Sequence, residues 1–206
     1  MNKNNFVSRG GIKLEHALQT FQLNVSGMTV LDVGSSTGGF VNCLLQHGAA
    51  KVYSLDTAYG ELAWKLRQDP RVVVLERTNI LFLESLPPSL PSFPSRPPNS
   101  NLETVDLVTI DVTFTSLTKI LPKIKPFLKA SRKVIALLKP QYEDQNLALK
   151  NRGVIPEKDR QNIVNTVINS ARDNGWRLLG QTQSPIMGKD GNTEYLLYIC
   201  YHPLKS

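Results

Sequence analysis

Residues Leu31–Leu45 read LDVGSSTGGFVNCLL, and this stretch decides the fold. An apolar run ends at Asp32, a glycine-rich turn follows, and an apolar segment typical of a helix begins at Phe40. Three glycines lie within six residues of the turn, which indicates either a tight turn or a ligand close to the backbone. The stretch therefore predicts a strand–turn–helix unit whose backbone N–H groups and helix N-terminus face a ligand.

Apolar strands alternate with helices along the rest of the chain. The predicted strands cover residues 28–34, 51–56, 71–76, 105–111, 133–139, 176–183 and 194–201. The predicted helices cover residues 12–23, 40–47, 60–69, 116–128 and 156–174. Continuous apolar strands are typical of a parallel sheet covered on both faces. The sequence thus predicts an α/β fold with a Rossmann-like, mostly parallel seven-stranded sheet and an antiparallel last strand.

Composition limits the class of protein. The chain has 206 residues and a net charge of +7 with a pI near 9.5, which suggests one domain and a polyanionic partner such as nucleic acid. Neither a signal peptide nor an apolar run of about 20 residues is found, so we expect a cytoplasmic protein without a membrane partner. Cys43 and Cys200 have no metal-ligand spacing, and we expect reduced, buried thiols and no metal.

The glycine turn and two polar positions predict a nucleoside cofactor. The glycine spacing is not Gly-x-Gly-x-x-Gly, and no phosphate-loop lysine follows, which disfavours dinucleotides and nucleoside triphosphates. A carboxylate after the second strand can bind ribose hydroxyls, and a polar side chain after the third can bind adenine. This order suits S-adenosylmethionine, and the alternative is a turn without a ligand. The predicted cofactor-binding residues are Gly34, Ser35, Ser36, Thr37, Gly38, Phe40, Asp56, Thr57, Asn79 and Asp111.

Charged residues at strand ends form a candidate catalytic set. Asp111 and Lys139 end the fourth and fifth strands, and a lysine after the run VIALL is unusual without a function. Glu194 begins the last strand at the same edge, and Lys13 lies in a helix that could cover the cleft. Two lysines and two acids in one cleft can hold one lysine neutral, as a general base needs. The alternative for each residue is a surface ion pair.

Several segments closely resemble the TlyA-type proteins, also called hemolysins, which belong with the FtsJ-like ribose 2'-O-methyltransferases. They include FVSRGGIKLEHAL (6–18), LDVGSSTGGFVNCLLQHGA (31–49), AYGELAWKLRQDPRVVVLERTN (58–79), DLVTIDVTFTSL (106–117), LLKPQYE (137–143), GVIPE (153–157) and SPIMGKDGNTEYLLY (184–198). The resemblance covers nearly the whole chain. It implies the class I methyltransferase fold, S-adenosylmethionine as donor and cytidine 2'-hydroxyls of ribosomal RNA as targets. It also implies a catalytic set of Lys13, Asp111, Lys139 and Glu194.

Two features depart from the family. An amino-terminal S4 RNA-binding domain usually precedes the segment FVSRGG, and we expect residues 1–206 to form one methyltransferase domain without it. A Pro/Ser-rich stretch at 86–101 is expected to be a loop insertion. A partner could then replace the S4 domain in binding RNA.

The sequence therefore predicts an S-adenosylmethionine-dependent ribose 2'-O-methyltransferase acting on ribosomal RNA, alone or within ribosomal subunits. One alternative is a non-catalytic RNA-binding protein that assists ribosome assembly. Another is a membrane-active hemolysin, although no amphipathic or spanning segment supports it.

Overall fold

A computed structural model describes residues 6–87, 103–188 and 191–202, without the side chains of 131 and 132. All but the first two residues of the predicted loop insertion at 86–101 lie outside the described residues. Within the described ranges no helix is long and apolar enough to cross a bilayer.

The predicted alternation of strands and helices is confirmed. The strands are β1 (Thr29–Val33), β2 (Lys51–Leu55), β3 (Val72–Leu75), β4 (Val105–Ile110), β5 (Leu128–Leu138), β6 (Trp176–Gln183) and β7 (Tyr195–Tyr201). The α-helices are α1 (Gly10–Thr20), α2 (Gly39–Gln46), α3 (Trp64–Arg67), α4 (Leu117–Ile124), α5 (Pro140–Glu143), α6 (Gln145–Lys150) and α7 (Glu157–Asp173).

The strands form one seven-stranded sheet in the order β3-β2-β1-β4-β5-β7-β6. The pairs among β1 to β5 are parallel, whereas β7 pairs antiparallel with both β5 and β6. The expected antiparallel last strand is confirmed, but its position between β5 and β6 was not predicted. This position sets Tyr195 opposite Leu138, so the start of β7 lies beside the end of β5.

Apolar side chains cover both faces of the sheet. On one face α1 and α2 contribute residues such as Leu14, Ala17 and Leu44, all fully buried. On the other face α4 and α7 contribute residues such as Ile120 and Val164. Each fully buried Leu, Ile or Val side chain stabilises the fold by about 1.5–3 kcal/mol, so the two layers hold the strand ends in fixed register.

Two predicted helices have different bounds. The helix predicted at 60–69 is reduced to α3, because Gly60 has a φ of +78° and its N–H donates to the Glu76 carboxylate at 2.8 Å. The helix predicted at 12–23 is α1, which begins two residues earlier and ends before Gln22, whose φ is +50°. Tertiary contacts and left-handed residues therefore override the apolar spacing at both helices.

The segments around β5 also differ from the prediction. The helix predicted at 116–128 divides into α4 and a 3₁₀ turn, Lys125–Phe127, and β5 already begins at Leu128. The polar segment after QYED, which lies outside every predicted helix and strand, contains α6, whose first turn is capped by Asp144 through the Leu147 N–H. A local side-chain cap that the periodicity does not reveal thus starts this helix.

Candidate active site

The glycine turn packs closely against neighbouring segments, and part of its backbone also lies open at the surface. The N–H groups of Gly34 and Ser35 both donate to the Leu55 carbonyl, at 2.8 and 3.1 Å. Gly34 has a φ of +87°, and a Cβ there would collide with the Asp111 carbonyl oxygen. Gly38 has a φ of +94°, and a Cβ there would lie 2.7 Å from Leu62. The glycines therefore allow the turn to pack against the loops on either side.

Two adjoining cavities lie along this turn. The first measures about 380 Å³ and is lined by the four predicted catalytic residues together with Gly34, Ser35, Ser36, Thr37 and Phe40. The second measures about 410 Å³ and is lined by Gly34, Ser36, Asp56, Thr57, Asn79 and Asp111. The structure thus brings together every predicted site residue except Gly38, which lines neither cavity and packs against Leu62 and Leu66.

The second cavity fits a nucleoside. Asp56 Oδ2 accepts from the Ser36 N–H at 2.7 Å and Oδ1 accepts from the Ala58 N–H at 2.8 Å. A carboxylate has about four lone-pair sites, so Asp56 retains capacity for ribose hydroxyls. Asn79 Oδ1 accepts from the Leu81 N–H at 3.0 Å, which leaves the amide nitrogen as a donor for a base. The polar groups and the open glycine turn suit a nucleoside with a flexible, charged arm.

Two lysine–carboxylate pairs lie in the first cavity. Lys13 Nζ donates to Glu194 Oε2 at 2.5 Å, and Lys139 Nζ lies 2.7 Å from Asp111 Oδ1. Lys13 and Lys139 are each only 9% exposed and Glu194 is 2% exposed, which is rare for charged side chains. Four ionisable groups in one small cavity give the site both donors and acceptors for moving a proton.

Strand ends and a helix crossing position these four residues. Asp111 directly follows β4, Lys139 follows β5 and Glu194 precedes β7, so the antiparallel strand supplies a carboxylate to the same edge. Lys13 comes from α1, which crosses α2 at a contact between glycines. A Cβ on Gly39 would lie 2.9 Å from the nitrogen of Gly11, so only glycine permits this approach.

Sequence reasoning missed a buried acid beneath the turn. Asp32 is fully buried, and its Oδ1 accepts from the Thr109 hydroxyl at 2.6 Å. Its Oδ2 has no hydrogen-bond partner among the described residues. Burial, aided by the charges of Asp111 and Asp56, raises the pKa of Asp32 to about 7. Its place at the end of an apolar strand in the sequence was the signal that could have found it.

An aromatic pair at the edge of the site was also missed. Phe114, in the loop after Asp111, is 76% exposed and has a φ of +62°. Its ring lies 5.1 Å from that of Tyr142, which lines the first cavity, and Lys139 Nζ lies 5.8 Å from the Tyr142 ring centre. An exposed aromatic residue in a left-handed conformation is uncommon outside functional sites. No cluster of three or more potential metal ligands occurs in the described part of the chain.

Comparisons with known proteins agree with this geometry. The family model of the FtsJ-like methyltransferases matches residues 6–201. The candidate rRNA methyltransferase YqxC of Bacillus subtilis is 40% identical over 195 residues, which are 94% of this chain and 65% of that protein. The 16S/23S rRNA (cytidine-2'-O)-methyltransferase TlyA of Mycobacterium tuberculosis is also 40% identical, over 94% of this chain and 68% of that protein. The chain spans about two thirds of the length of these two relatives.

Solved structures show the same fold. A candidate hemolysin from Lactococcus lactis is 40% identical and superposes with a TM-score of 0.84, covering 96% of this chain and 89% of that one. Methyltransferases only 12–17% identical superpose with TM-scores of 0.59–0.65, which confirms the predicted class I methyltransferase fold. The chain therefore belongs to the FtsJ-like methyltransferase family, with S-adenosylmethionine as its methyl donor.

Proposed function

We propose that the protein methylates ribose 2'-hydroxyls of ribosomal RNA, with cytidine as the target nucleotide. The observation that carries this proposal is the pair of lysine–carboxylate contacts in the first cavity. That cavity shares Gly34, Ser36 and Asp111 with the second cavity, which fits a nucleoside. A buried lysine beside the donor site is suited to remove a proton from a hydroxyl group. The relatives named above include a cytidine-2'-O-methyltransferase of rRNA.

Each residue has a distinct part in this mechanism. Lys139, in its uncharged form, accepts the proton of the 2'-hydroxyl, while Asp111 and Glu194 orient the two lysines. Lys13 holds positive charge near the developing negative charge on the ribose oxygen. S-adenosylmethionine, when bound, supplies the sulfonium methyl group, so that an O–C bond forms, the S–C bond breaks and S-adenosylhomocysteine remains. Holding the two reactants in line can supply much of the rate enhancement.

The second cavity and the adjoining glycine turn would hold the methyl donor. Its amino-acid arm would lie against the backbone of Gly34, Ser35, Ser36 and Thr37, which line the first cavity together with Phe40. Asp56 and Thr57, which line the second cavity, would hold the ribose, and Asn79 in the same cavity would hold the adenine. Gly38 serves the site through packing, because it begins α2 in a left-handed conformation.

Charge and exposed aromatic groups support an RNA substrate. The net charge of +7 favours a polyanion, and the exposed Arg9 lies at the edge of the first cavity. The Phe114–Tyr142 pair offers a face on which an unstacked base could pack while its ribose reaches Lys139. Ribosomal RNA as substrate places the protein in the cytoplasm. We also propose that an RNA-binding partner adds contacts beyond this domain.

The test is transfer of labelled methyl from S-adenosylmethionine to ribosomal subunits and to naked rRNA. We expect Lys139→Ala to lower the rate by about 10²–10⁴-fold and to leave donor affinity nearly unchanged, because Lys139 acts on the acceptor. Lys158→Ala, an exposed lysine in α7, is the matched control and should behave as wild type.

Equal rates for Lys139→Ala and wild type would contradict the assigned base. Donor binding by the wild type without transfer to any RNA would contradict the proposed reaction and favour a binding role. Label on the base rather than the ribose, read from nuclease digests, would contradict the 2'-hydroxyl as target.

A further inference from the structure

Glu143 connects two segments that carry different members of the catalytic set. Its Oε1 accepts from the backbone N–H of Leu117 at 2.9 Å, and its Oε2 accepts from the Ser116 hydroxyl at 2.5 Å. Glu143 ends α5, which starts directly after Lys139, and Leu117 begins α4, which follows the loop from Asp111. One carboxylate therefore spans the Lys139 segment and the Asp111 segment.

The start of α4 has a cap besides this carboxylate. Ser116 already caps the helix, because its Oγ accepts from the Thr118 N–H at 3.1 Å. Burial raises the pKa of Glu143, so its ionised form is held at this position at a free-energy cost. The positive end of the helix dipole offsets part of that cost. A costly second cap from a distant segment indicates that its function is to join the two segments.

The contact between Lys139 and Asp111 needs such a connection. The two atoms are 2.7 Å apart, yet within the described residues Asp111 Oδ1 accepts no hydrogen bond of acceptable geometry. A pair without a directional bond takes its orientation from the backbone segments that carry it. A second link supports this, since Gln145 Nε2 donates to the Phe114 carbonyl at 3.3 Å and again joins the two segments.

We propose that Glu143 is a positioning residue for proton transfer. It fixes α5 against the first turn of α4 and thereby sets Lys139 relative to Asp111 and to the 2'-hydroxyl. The proposal rests on the proposed function, in which Lys139 is the base. Glu143 lines neither of the two cavities, so its substitution should lower the rate of the chemical step and spare donor binding.

Four variants test this role: Glu143→Ala, Glu143→Gln, Ser116→Ala and the double variant Ser116→Ala/Glu143→Ala. Glu143→Ala should lower kcat by about 10–100-fold, as displacement of a catalytic group by roughly 1 Å does, with donor affinity within about 3-fold of wild type. Glu143→Gln should lose less, because its carbonyl oxygen can still accept from the Leu117 N–H. The double variant should lose less than the product of the two single losses, because Ser116→Ala removes one of the two bonds of the same link, in addition to the cap on Thr118.

The control is Glu157→Gln, which alters an exposed glutamate at the start of α7 and should leave kcat unchanged. A folded Glu143→Ala protein with wild-type kcat would overturn the proposal. Multiplicative losses for Ser116→Ala and Glu143→Ala would also overturn it. If Glu143→Ala does not fold, the kcat of Glu143→Gln is compared with that of the wild type instead, and an unchanged kcat overturns the proposal.

A second measurement separates this proposal from the proposed function. Backbone amide resonances of Asp111 and Lys139, assigned by NMR, should shift in Glu143→Gln and stay unchanged in Glu157→Gln. If the wild type transfers no methyl group to RNA, the proposed function fails while shifted resonances still support the link. Unshifted resonances of both residues would overturn the positioning role whether or not the protein methylates RNA.

Discussion

At Asp32 the sheet buries a carboxyl group whose Oδ1 is hydrogen-bonded to Thr109 and whose Oδ2 has no partner within the described residues. Its pKa is raised from 3.8 to about 7, chiefly by burial. Between these two values the native state holds a proton that the unfolded state has released. The free energy of unfolding therefore falls as the pH rises through this interval, by up to about 1.4 kcal/mol per pH unit from this group, and levels off above it.

Asp32→Asn should remove this contribution. The amide oxygen can still accept from Thr109, and the uncharged side chain no longer titrates. Between pH 5 and pH 7 the wild type should lose about 2–3 kcal/mol more of its free energy of unfolding than the variant does, as measured by urea denaturation. Parallel pH curves for the two proteins would show that Asp32 is already ionised at pH 5.

Gly188 controls the position of Glu194 by its lack of a side chain. A Cβ there would lie 2.6 Å from Glu194 Oε1, so Gly188→Ala should displace the carboxylate that holds Lys13. We expect methyl transfer to fall by about tenfold or more with little change in donor binding. The control is Gly191→Ala in the same loop, which has open space but a φ of +79°. It should cost about 1–2 kcal/mol of stability and keep its activity, and equal activities of the two variants would contradict the assigned contact.

Individual site residues were predictable where their position in the chain alone shows which edge of the sheet they reach. Asp56, Asp111 and Lys139 follow predicted strands, so their meeting at one sheet edge could be inferred. Glu143 could not be found in this way, because its partners at 116 and 117 are set by how α5 packs on α4. Such a contact depends on tertiary packing, which apolar periodicity does not encode.

At the scale of elements, the crossing of α1 and α2 links donor binding to the placement of Lys13. A Cβ on Gly39 would press on Gly11 and Gly10, at 2.9 and 3.0 Å from backbone atoms, whereas a Cβ on Gly10 would have no neighbour closer than 3.5 Å. The two glycines therefore differ sharply in the room they leave for a side chain.

Gly39→Ala should force the two helices apart. We expect a loss of about tenfold or more in methyl transfer and weaker donor binding, because the start of α2, which borders the first cavity, moves with Gly39. Gly10→Ala, at the same crossing, is the matched control and should keep both properties, since 3.5 Å is an ordinary contact distance. Equal transfer rates for the two variants, measured at saturating donor, would show that the crossing tolerates a methyl group on either helix.

Strands were easier to predict than short helices. All seven predicted strands are present, and all but β6, whose burial alternates, follow a continuous apolar run. The helices α2 and α7 have clear apolar faces. The four-residue α3 is shorter than its predicted helix, and the capped α6 lies outside every predicted element, because loop hydrogen bonds and a single Asp144 cap decide them. The position of β7 between β5 and β6 depends on strand pairing between residues distant in sequence, which no local pattern specifies.

At the scale of the whole molecule, the charge of +7 predicts how RNA binding responds to salt. The logarithm of the association constant should fall linearly with the logarithm of salt concentration, by about 0.7 per phosphate contacted in single-stranded RNA. Arg9→Ala should reduce the slope by about one such contact, because Arg9 is exposed at the cavity edge. Filter-binding titrations at several salt concentrations measure this, and a slope near zero would contradict phosphate recognition by this domain.

The antiparallel strand β7 has a consequence for the synthesis of the protein. It is the last strand of the sheet along the chain, yet it lies inside the sheet and joins β6 to β5. During translation the strands β1 to β4, beside which the donor-binding residues lie, can pair with one another before β7 leaves the ribosome. In contrast, β6 has no neighbouring strand until β7 is available. Glu194 arrives with β7, so a nascent chain could bind its methyl donor before the proposed catalytic set is complete.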